Sequence, residues 1–213
     1  MRSILAALLA LSVFLPTPTS VAVLPIRVFT ASAVNEGTAV IVARDDRATG
    51  VLLHLVTSAR LFPDGWHTVR VGTMDDTFVD VNRSDIVVSG SRLVEVAIVR
   101  LLGTRAPATP APLVWRAPAP DAPIQIHGLD ARGASIVIDG RVRFLSTRLI
   151  VADRDASGLH GCLGAPATDE DGVFGIVSEC GQGRTATIAT LSMDRWFIER
   201  YVPHLPSVTR TER

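Results

Sequence analysis

A run of prolines in the middle of the chain constrains the fold more than any other sequence feature. Residues 103–123 read GTRAPATPAPLVWRAPAPDAP and contain six prolines. Proline cannot donate a hydrogen bond to a strand ladder and it stiffens the chain, so this stretch is excluded from the interior of a sheet. We therefore predict a connector over residues 106–123 between two folded halves, with its apolar centre at residues 113–115 packed on a core.

Both halves read as short β-strands. Their apolar segments are rich in β-branched residues, several alternate with polar residues at period two, and glycine or charged residues bound them. The sequence therefore predicts two all-β units of roughly 80 residues, over residues 23–105 and 124–205. The predicted strands are 37–44, 51–58, 67–74, 77–81 and 94–102 in the first half, and 124–128, 135–139, 140–152, 172–178 and 185–191 in the second.

One helix is predicted near the end of the chain, over residues 193–202, and Pro203 stops it. Its large apolar side chains recur at helical spacing, which predicts a single packed face. A polar tail follows at 206–213. The side chains of the predicted packed face are Met193, Trp196, Phe197 and Tyr201.

The first 22 residues have the features of a secretory signal peptide. Arg2 precedes an unbroken apolar run over residues 4–15, which is too short to cross a bilayer comfortably, and a small-x-small motif ends at Ala22. A buried N-terminal helix or an uncleaved anchor is the alternative. We expect a secreted or periplasmic protein without a membrane span after signal removal, so that its cysteines meet an oxidising compartment.

The composition excludes several classes of protein. The 21 basic residues, all arginine, balance 21 acidic residues, which argues against a nucleic-acid partner because phosphate binding needs clustered positive charge. Two cysteines are too few for a four-thiolate zinc site, and neither histidine ligand spacing nor a phosphate-binding glycine loop occurs. The acidic stretch at 169–172 is predicted as a hairpin turn, with calcium binding as the alternative. We expect no metal and no cofactor.

Four short sequence blocks follow one another along the chain: LVTSAR at 55–60, EVAIVRL at 95–101, GCLGAP at 161–166 and GVFGIVS at 172–178. They resemble the VLTAAH, DIALLRL, GDSGGP and GIVS blocks of trypsin-like (chymotrypsin-fold) serine peptidases, and the resemblance covers roughly residues 28–203. It implies an all-β fold with two six-stranded antiparallel β-barrels and a C-terminal α-helix.

The chain departs from this family at all three catalytic positions. Where the family has histidine, aspartate and serine, the matching residues are Arg60, Glu95 and Leu163. Leucine has no nucleophilic atom, and a guanidinium stays protonated and cannot act as the base. Glu95 keeps a carboxylate, but the imidazole that it would orient is absent. Ordinary serine-protease catalysis is therefore not expected, and Arg60 and Glu95 are predicted either to form an ion pair or to face solvent separately.

The resemblance also assigns positions around this centre. The amides of Gly161 and Leu163 match the oxyanion-hole donors, so the loop either binds a carbonyl or carboxylate or collapses with Leu163 in the cleft. Ser157 and Ser178 match the specificity pocket, which would be neutral.

The resemblance places Cys162 and Cys180 on opposite walls of that pocket, which implies a disulfide. Two free buried thiols, or a nucleophilic Cys162 with His160 as its base, remain as alternatives.

The sequence thus favours a secreted trypsin-like homologue that is proteolytically inactive and acts in peptide or protein binding or regulation. An extended peptide would add along the strand edge beside residues 176–180. The alternatives are an active endopeptidase or esterase with an unusual nucleophile such as Cys162, and a structural, envelope-associated domain without a function in the cleft. The sequence leaves the oligomeric state open.

Overall fold

In the residues that it describes, the computed structural model contains two antiparallel β-sheets and one α-helix. Residues 1–20, with most of the predicted signal peptide, the polar tail at 206–213, Ser157 and His160 lie outside the described residues. The described residues are 21–73, 77–91, 93–103, 109–145, 149–153, 161–180 and 185–205.

The first sheet has seven strands, in the spatial order β5-β4-β1-β2-β3-β7-β6. It curls around a core that includes Ile26, Ile41, Leu55 and Val99. A 3₁₀ turn over Ala59–Leu61 follows β3, and another over Arg83–Asp85 precedes β6. The strands are β1 (Val23–Phe29), β2 (Val34–Arg47), β3 (Gly50–Ser58), β4 (Thr68–Gly72), β5 (Phe78–Val81), β6 (Ile86–Val88) and β7 (Val96–Gly103).

The second sheet is a closed six-stranded barrel, in the order β10-β13-β12-β11-β8-β9. Phe174, Ile126 and Ile188 are fully buried inside it. The helix α1 (Leu191–Tyr201) follows the last strand directly. The strands are β8 (Pro123–Leu129), β9 (Ser135–Leu145), β10 (Leu149–Asp153), β11 (Pro166–Asp169), β12 (Gly172–Cys180) and β13 (Thr185–Thr190).

The predicted fold class is confirmed: the chain is mostly β, in two curled antiparallel sheets with a C-terminal helix. Three strands escaped the sequence analysis, namely β1, β6 and β11, each of which is short or contains a proline. The stretch predicted as one strand over 140–152 is divided between β9 and β10. The family resemblance implied six strands in the first sheet, and the structure has seven.

The proline-rich connector touches both sheets. The amide of Ala111 donates to Ile41 O in β2 at 2.8 Å, and the amide of Val114 donates to Val173 O in β12 at 2.8 Å. Leu113 is 3% exposed and pairs with Val173 in a single parallel bridge. The connector centre therefore packs on a core, as its apolar residues predicted.

The helix presents a different face from the predicted one. Leu191, Asp194, Phe197 and Ile198 are buried, whereas Met193 is 45% exposed and Trp196 is 58% exposed. The prediction was wrong because the helix is anchored by a polar contact that apolar spacing does not reveal. The buried carboxylate of Asp194 accepts a hydrogen bond from the amide of Glu95 at 3.0 Å, which fixes the rotation of α1.

The beginning of the described chain is well packed. Val21 is 7% exposed and belongs to the core between the sheets, and Ala22 O accepts a hydrogen bond from the amide of Ile41 at 3.3 Å. The last two residues of the predicted leader are therefore part of this packing. Within the described ranges, no helix is both long enough and apolar enough to cross a membrane.

Two buried histidines predict a loss of stability in mild acid. Burial lowers the pKa of His127, and burial together with the nearby Arg100 guanidinium lowers the pKa of His54, from the ordinary 6.5. Below about pH 6.5 the unfolded chain binds protons that the folded chain does not, so the free energy of unfolding falls by up to about 1.4 kcal/mol per pH unit for each histidine. Denaturant unfolding at pH 7.5, 6.0 and 5.0 measures this slope.

The variants His54→Leu and His127→Gln should each flatten the slope. Both ring nitrogens of His54 are buried without a hydrogen-bond partner among the described residues, whereas His127 Nε2 lies 2.9 Å from Thr168 Oγ1. An unchanged slope in both variants would show that the acid sensitivity comes from other groups.

Candidate functional site

Arg60 lies at the end of β3, where the chain leaves the first sheet. The strand ends at Ser58, whose hydroxyl accepts a hydrogen bond from the amide of Arg60 at 3.2 Å and begins the 3₁₀ turn. The amide of Ala59 donates to Glu95 O at 2.8 Å. This turn therefore places Arg60 beside the residue that precedes β7.

Arg60 and Glu95 form the ion pair that was one of the two sequence expectations. Arg60 Nε donates to Glu95 Oε2 at 3.2 Å, and Arg60 Nη1 lies 3.7 Å from Glu179 Oε2 in β12. The side chains of Arg60, Glu95 and Glu179 are 45%, 19% and 61% exposed. At such exposure each contact contributes at most about 1 kcal/mol, so the importance of the group lies in its placement rather than in its energy.

The loop at 161–165 is held against the first sheet by Thr38. The amide of Thr38 donates to Leu163 O at 2.7 Å, and its hydroxyl donates to Gly161 O at 3.0 Å. Thr57 Oγ1 in turn donates to Thr38 O at 2.6 Å. These bonds place the loop directly beside the end of β3, which leads to Arg60.

The same loop is bonded to the second sheet. The amide of Gly164 donates to Val177 O at 2.8 Å, and the amide of Val177 donates to Ala165 O at 2.9 Å. The loop therefore lies between the two sheets, with main-chain contacts to each.

Leu163 occupies the space that the collapsed-loop alternative predicted. Its side chain is half-buried and packs against the core of the first sheet. The amides of Gly161 and Leu163 have no acceptor among the described residues. The loop therefore combines a hydrocarbon side chain in the cleft with two main-chain donors that remain available.

Cys162 and Cys180 form a disulfide, as the family resemblance implied. Their Cα atoms are 6.4 Å apart; Cys162 is 6% exposed, while Cys180 is exposed. A sulfur in a disulfide carries no thiolate, so Cys162 is not a nucleophile in this state.

The disulfide also changes the expected docking edge. Pairing of β12 with β11 ends at Ile176, the loop at 161–165 bonds to Val177, and the disulfide holds the loop beside Cys180. The strand edge at 176–180, where we expected a peptide to add, is therefore flanked by the protein's own loop.

The pocket residues are only partly described. Ser178 is 1% exposed, and its hydroxyl donates to Thr187 O on β13 at 3.4 Å. Ser157 lies outside the described residues, so the predicted pocket is known only at its Ser178 wall.

The acidic stretch at 169–172 forms the predicted turn between β11 and β12. Arg116 Nη2 lies 3.2 Å from Asp169 Oδ2 and also contacts the carboxylate of Asp171, whose hydrogen bond raises the pKa of Arg116. The guanidinium of Arg116 thus occupies the position in which a bound cation would contact these two carboxylates. In the part of the chain that the structure describes, no group of three potential metal ligands is close enough to hold an ion.

Sequence analysis missed two polar residues that shape this site. Glu179 follows Ser178 directly, but its partnership with Arg60 spans 119 positions and has no local signal. Asp194 lies in the first turn of the helix, and its carboxylate is buried against the amide of Glu95.

Among the residues that the structure describes, two cavities adjoin the centre. One of about 850 Å³ lies between the first sheet and the β8–β9 hairpin and reaches Gly161. The other, of about 600 Å³, opens beside Arg60 and Glu95 and is also lined by Phe62 and Trp66. Both are large enough for part of a peptide.

Comparison with known proteins defines the class of this fold. No family model and no curated protein sequence matches the chain. Among solved structures, the active form of the Rv3671c protease from M. tuberculosis superposes with a TM-score of 0.66 at 20% identity, over 87% of this chain and 83% of that one. A serine endoprotease from Yersinia pestis gives 0.62 at 16% identity, over 85% and 62%.

Kallikrein-related peptidase 10 gives a TM-score of 0.59 at 15% identity, over 83% of this chain and 93% of that one. The chain therefore has the chymotrypsin fold of trypsin-like serine proteases. At these identities the likeness establishes the fold, and the function rests on the residues of the site.

Proposed function

We propose that this chain is a secreted or periplasmic trypsin-like homologue without peptidase activity, which binds a peptide or protein segment in the cleft between its two sheets. The observation that carries the proposal is the ion pair at the centre, where a guanidinium stands 3.2 Å from the Glu95 carboxylate. The family places an imidazole base at the position of Arg60.

The chemistry of the neighbouring residues supports the loss of catalysis. A permanently charged guanidinium cannot accept the proton of a nucleophile, and Leu163 has no proton to give. Cys162 is bonded to Cys180 in a disulfide, so its sulfur is not the nucleophile that the alternative of an active hydrolase requires. The secretory leader that the sequence predicts and the Cys162–Cys180 disulfide both suit an oxidising compartment outside the cytosol.

Binding is favoured because Leu163 occupies only part of the cleft. The two amides of the 161–165 loop are available as donors, and cavities of about 850 and 600 Å³ flank the loop and the ion pair. Since these features do not depend on a catalytic triad, a cleft of this fold keeps a recognition surface after its chemistry is lost.

A hydrolysis assay tests the loss of activity. Casein and a fluorogenic ester should be hydrolysed by the purified protein no faster than by buffer, and Cys162→Ala should behave identically. Turnover that disappears in Cys162→Ala would establish the unusual nucleophile instead. A pull-down with the protein from the secreted fraction tests binding, and the absence of a specific partner would favour a structural role.

A further inference from the structure

The Cys162–Cys180 disulfide crosses the space between the 161–165 loop and the edge of β12. The Cα atoms of the two cysteines are 6.4 Å apart. A side chain between two walls needs about 3.5–4.0 Å to the atoms of each wall, so the walls must be at least about 7 Å apart. The two Cα atoms are closer than this, and the two bonded sulfurs lie between them. A ligand side chain therefore cannot pass between the loop and the strand here.

The strand edge behind the bridge has unpaired main chain. On one side, β12 pairs with β13 as far as Cys180. On the other side, its pairing with β11 ends at Ile176. Within the described ranges, residues 178–180 thus have a strand neighbour on one side only. Such an edge is able to take an extended peptide as an additional strand.

The disulfide alone closes this part of the edge. Val177 exchanges two main-chain hydrogen bonds with the loop, one with Gly164 and one with Ala165. Past Val177, no hydrogen bond between described residues joins the loop to residues 178–180. The bonds from Thr38 hold the opposite side of the loop. Loss of the S–S bond therefore frees the edge at 178–180 while the loop stays bonded to both sheets.

The two sulfurs differ in their access to solvent. Cys162 is 6% exposed, whereas Cys180 is exposed. Since thiol–disulfide exchange requires access to the sulfur under attack, a thiolate of a dithiol reductant attacks Cys180 Sγ. The S–S bond breaks, and Cys162 leaves as a thiolate and takes up a proton. The second thiol of the reductant then attacks the mixed disulfide and releases Cys180, so that two protein thiols form and the reductant becomes a disulfide.

We propose that this disulfide is a redox-sensitive gate on the β12 edge. The gate is closed in the oxidised protein, and a dithiol reductant opens the edge at 178–180 to an extended peptide. This rests on the proposed peptide-binding function and adds its regulation. In the oxidised protein, a peptide is limited to the two cavities beside the loop and the ion pair.

Alkylation of the natural chain tests whether the gate opens. The protein is reduced with dithiothreitol, freed of the reagent and treated with iodoacetamide, while tryptophan fluorescence reports that it stays folded. Mass spectrometry should then find two carbamidomethyl groups per chain, one on each cysteine, because Cys162 faces the opened space. Modification of Cys180 alone would overturn the inference, since the loop and the strand would then remain closed after the bond is broken.

A mixed hexapeptide library tests whether the opened edge binds. Retention should rise about tenfold on reduction, as expected when a strand edge gains main-chain hydrogen bonds to the peptide. The matched control is the double variant Cys162→Ala/Cys180→Ala, which should retain peptide as the reduced protein does, with or without dithiothreitol. Cys180→Ser provides a second open variant if the double variant does not fold.

The same library separates failure of this inference from failure of the proposed function. Equal retention by the oxidised and the reduced protein would refute the gate and leave peptide binding intact. If neither form retains any peptide, both fail.

Discussion

Replacing Cys162 and Cys180 together by alanine should lower the free energy of unfolding by about 3 kcal/mol, the chain-entropy value for a loop of this size. The disulfide closes a segment with a sequence separation of 18 residues and joins the 161–165 loop to the end of β12. In a protein of this length such a loss lowers Tm by roughly 6–12 °C. Denaturant unfolding of the oxidised protein and of the double variant measures it.

The single variants provide an internal control. Cys162→Ala and Cys180→Ala should each cost nearly as much as the double variant, because either one removes the bridge. Cys162 should cost slightly more, since its side chain is buried whereas Cys180 is exposed. Stabilities equal to that of the oxidised protein would mean that the bridge does not constrain the unfolded chain.

The fold could be predicted from the sequence wherever local pattern and chemistry agree. The six prolines predicted a connector between the two groups of strands, and the β-branched segments predicted most of the long strands, such as β3 and β12. The pattern failed for β6 and β11, because three or four residues are too few to establish a period. It also failed for the face of α1, which a buried carboxylate sets rather than apolar spacing.

The sequence predicted several residues of the candidate site but not the contacts between them. The positions of Arg60 and Glu95 followed from block order, and the disulfide followed from the family resemblance. The involvement of Glu179 depends on a contact with Arg60, which lies far away in the chain, and the hydrogen bonds of the 161–165 loop to Val177 join segments with no shared pattern. Such contacts leave no local sequence signal, so only the structure reveals that Arg60 lies between Glu95 and Glu179.

The largest single-residue effect is expected at Gly164, in the loop that carries Leu163. Its backbone has φ = 84°, a conformation that costs a residue with a side chain about 1–2 kcal/mol. A Cβ there would also collide with Thr38 O and Thr57 Oγ1, two atoms that are already bonded to each other. We expect Gly164→Ala to cost more than about 4 kcal/mol, since strain and overpacking act together.

Gly133→Ala separates the two causes, because Gly133 has nearly the same backbone conformation, with φ = 81°, but no atom within 4 Å of a new Cβ. It should lose only the strain energy of about 1–2 kcal/mol. Chemical denaturation gives both values, and equal losses would show that the contact with Thr38 and Thr57 is not tight. Thr38 also forms hydrogen bonds with Gly161 and Leu163. A loss of stability in Gly164→Ala would therefore show that close packing of the loop between the two sheets maintains the geometry of the cleft.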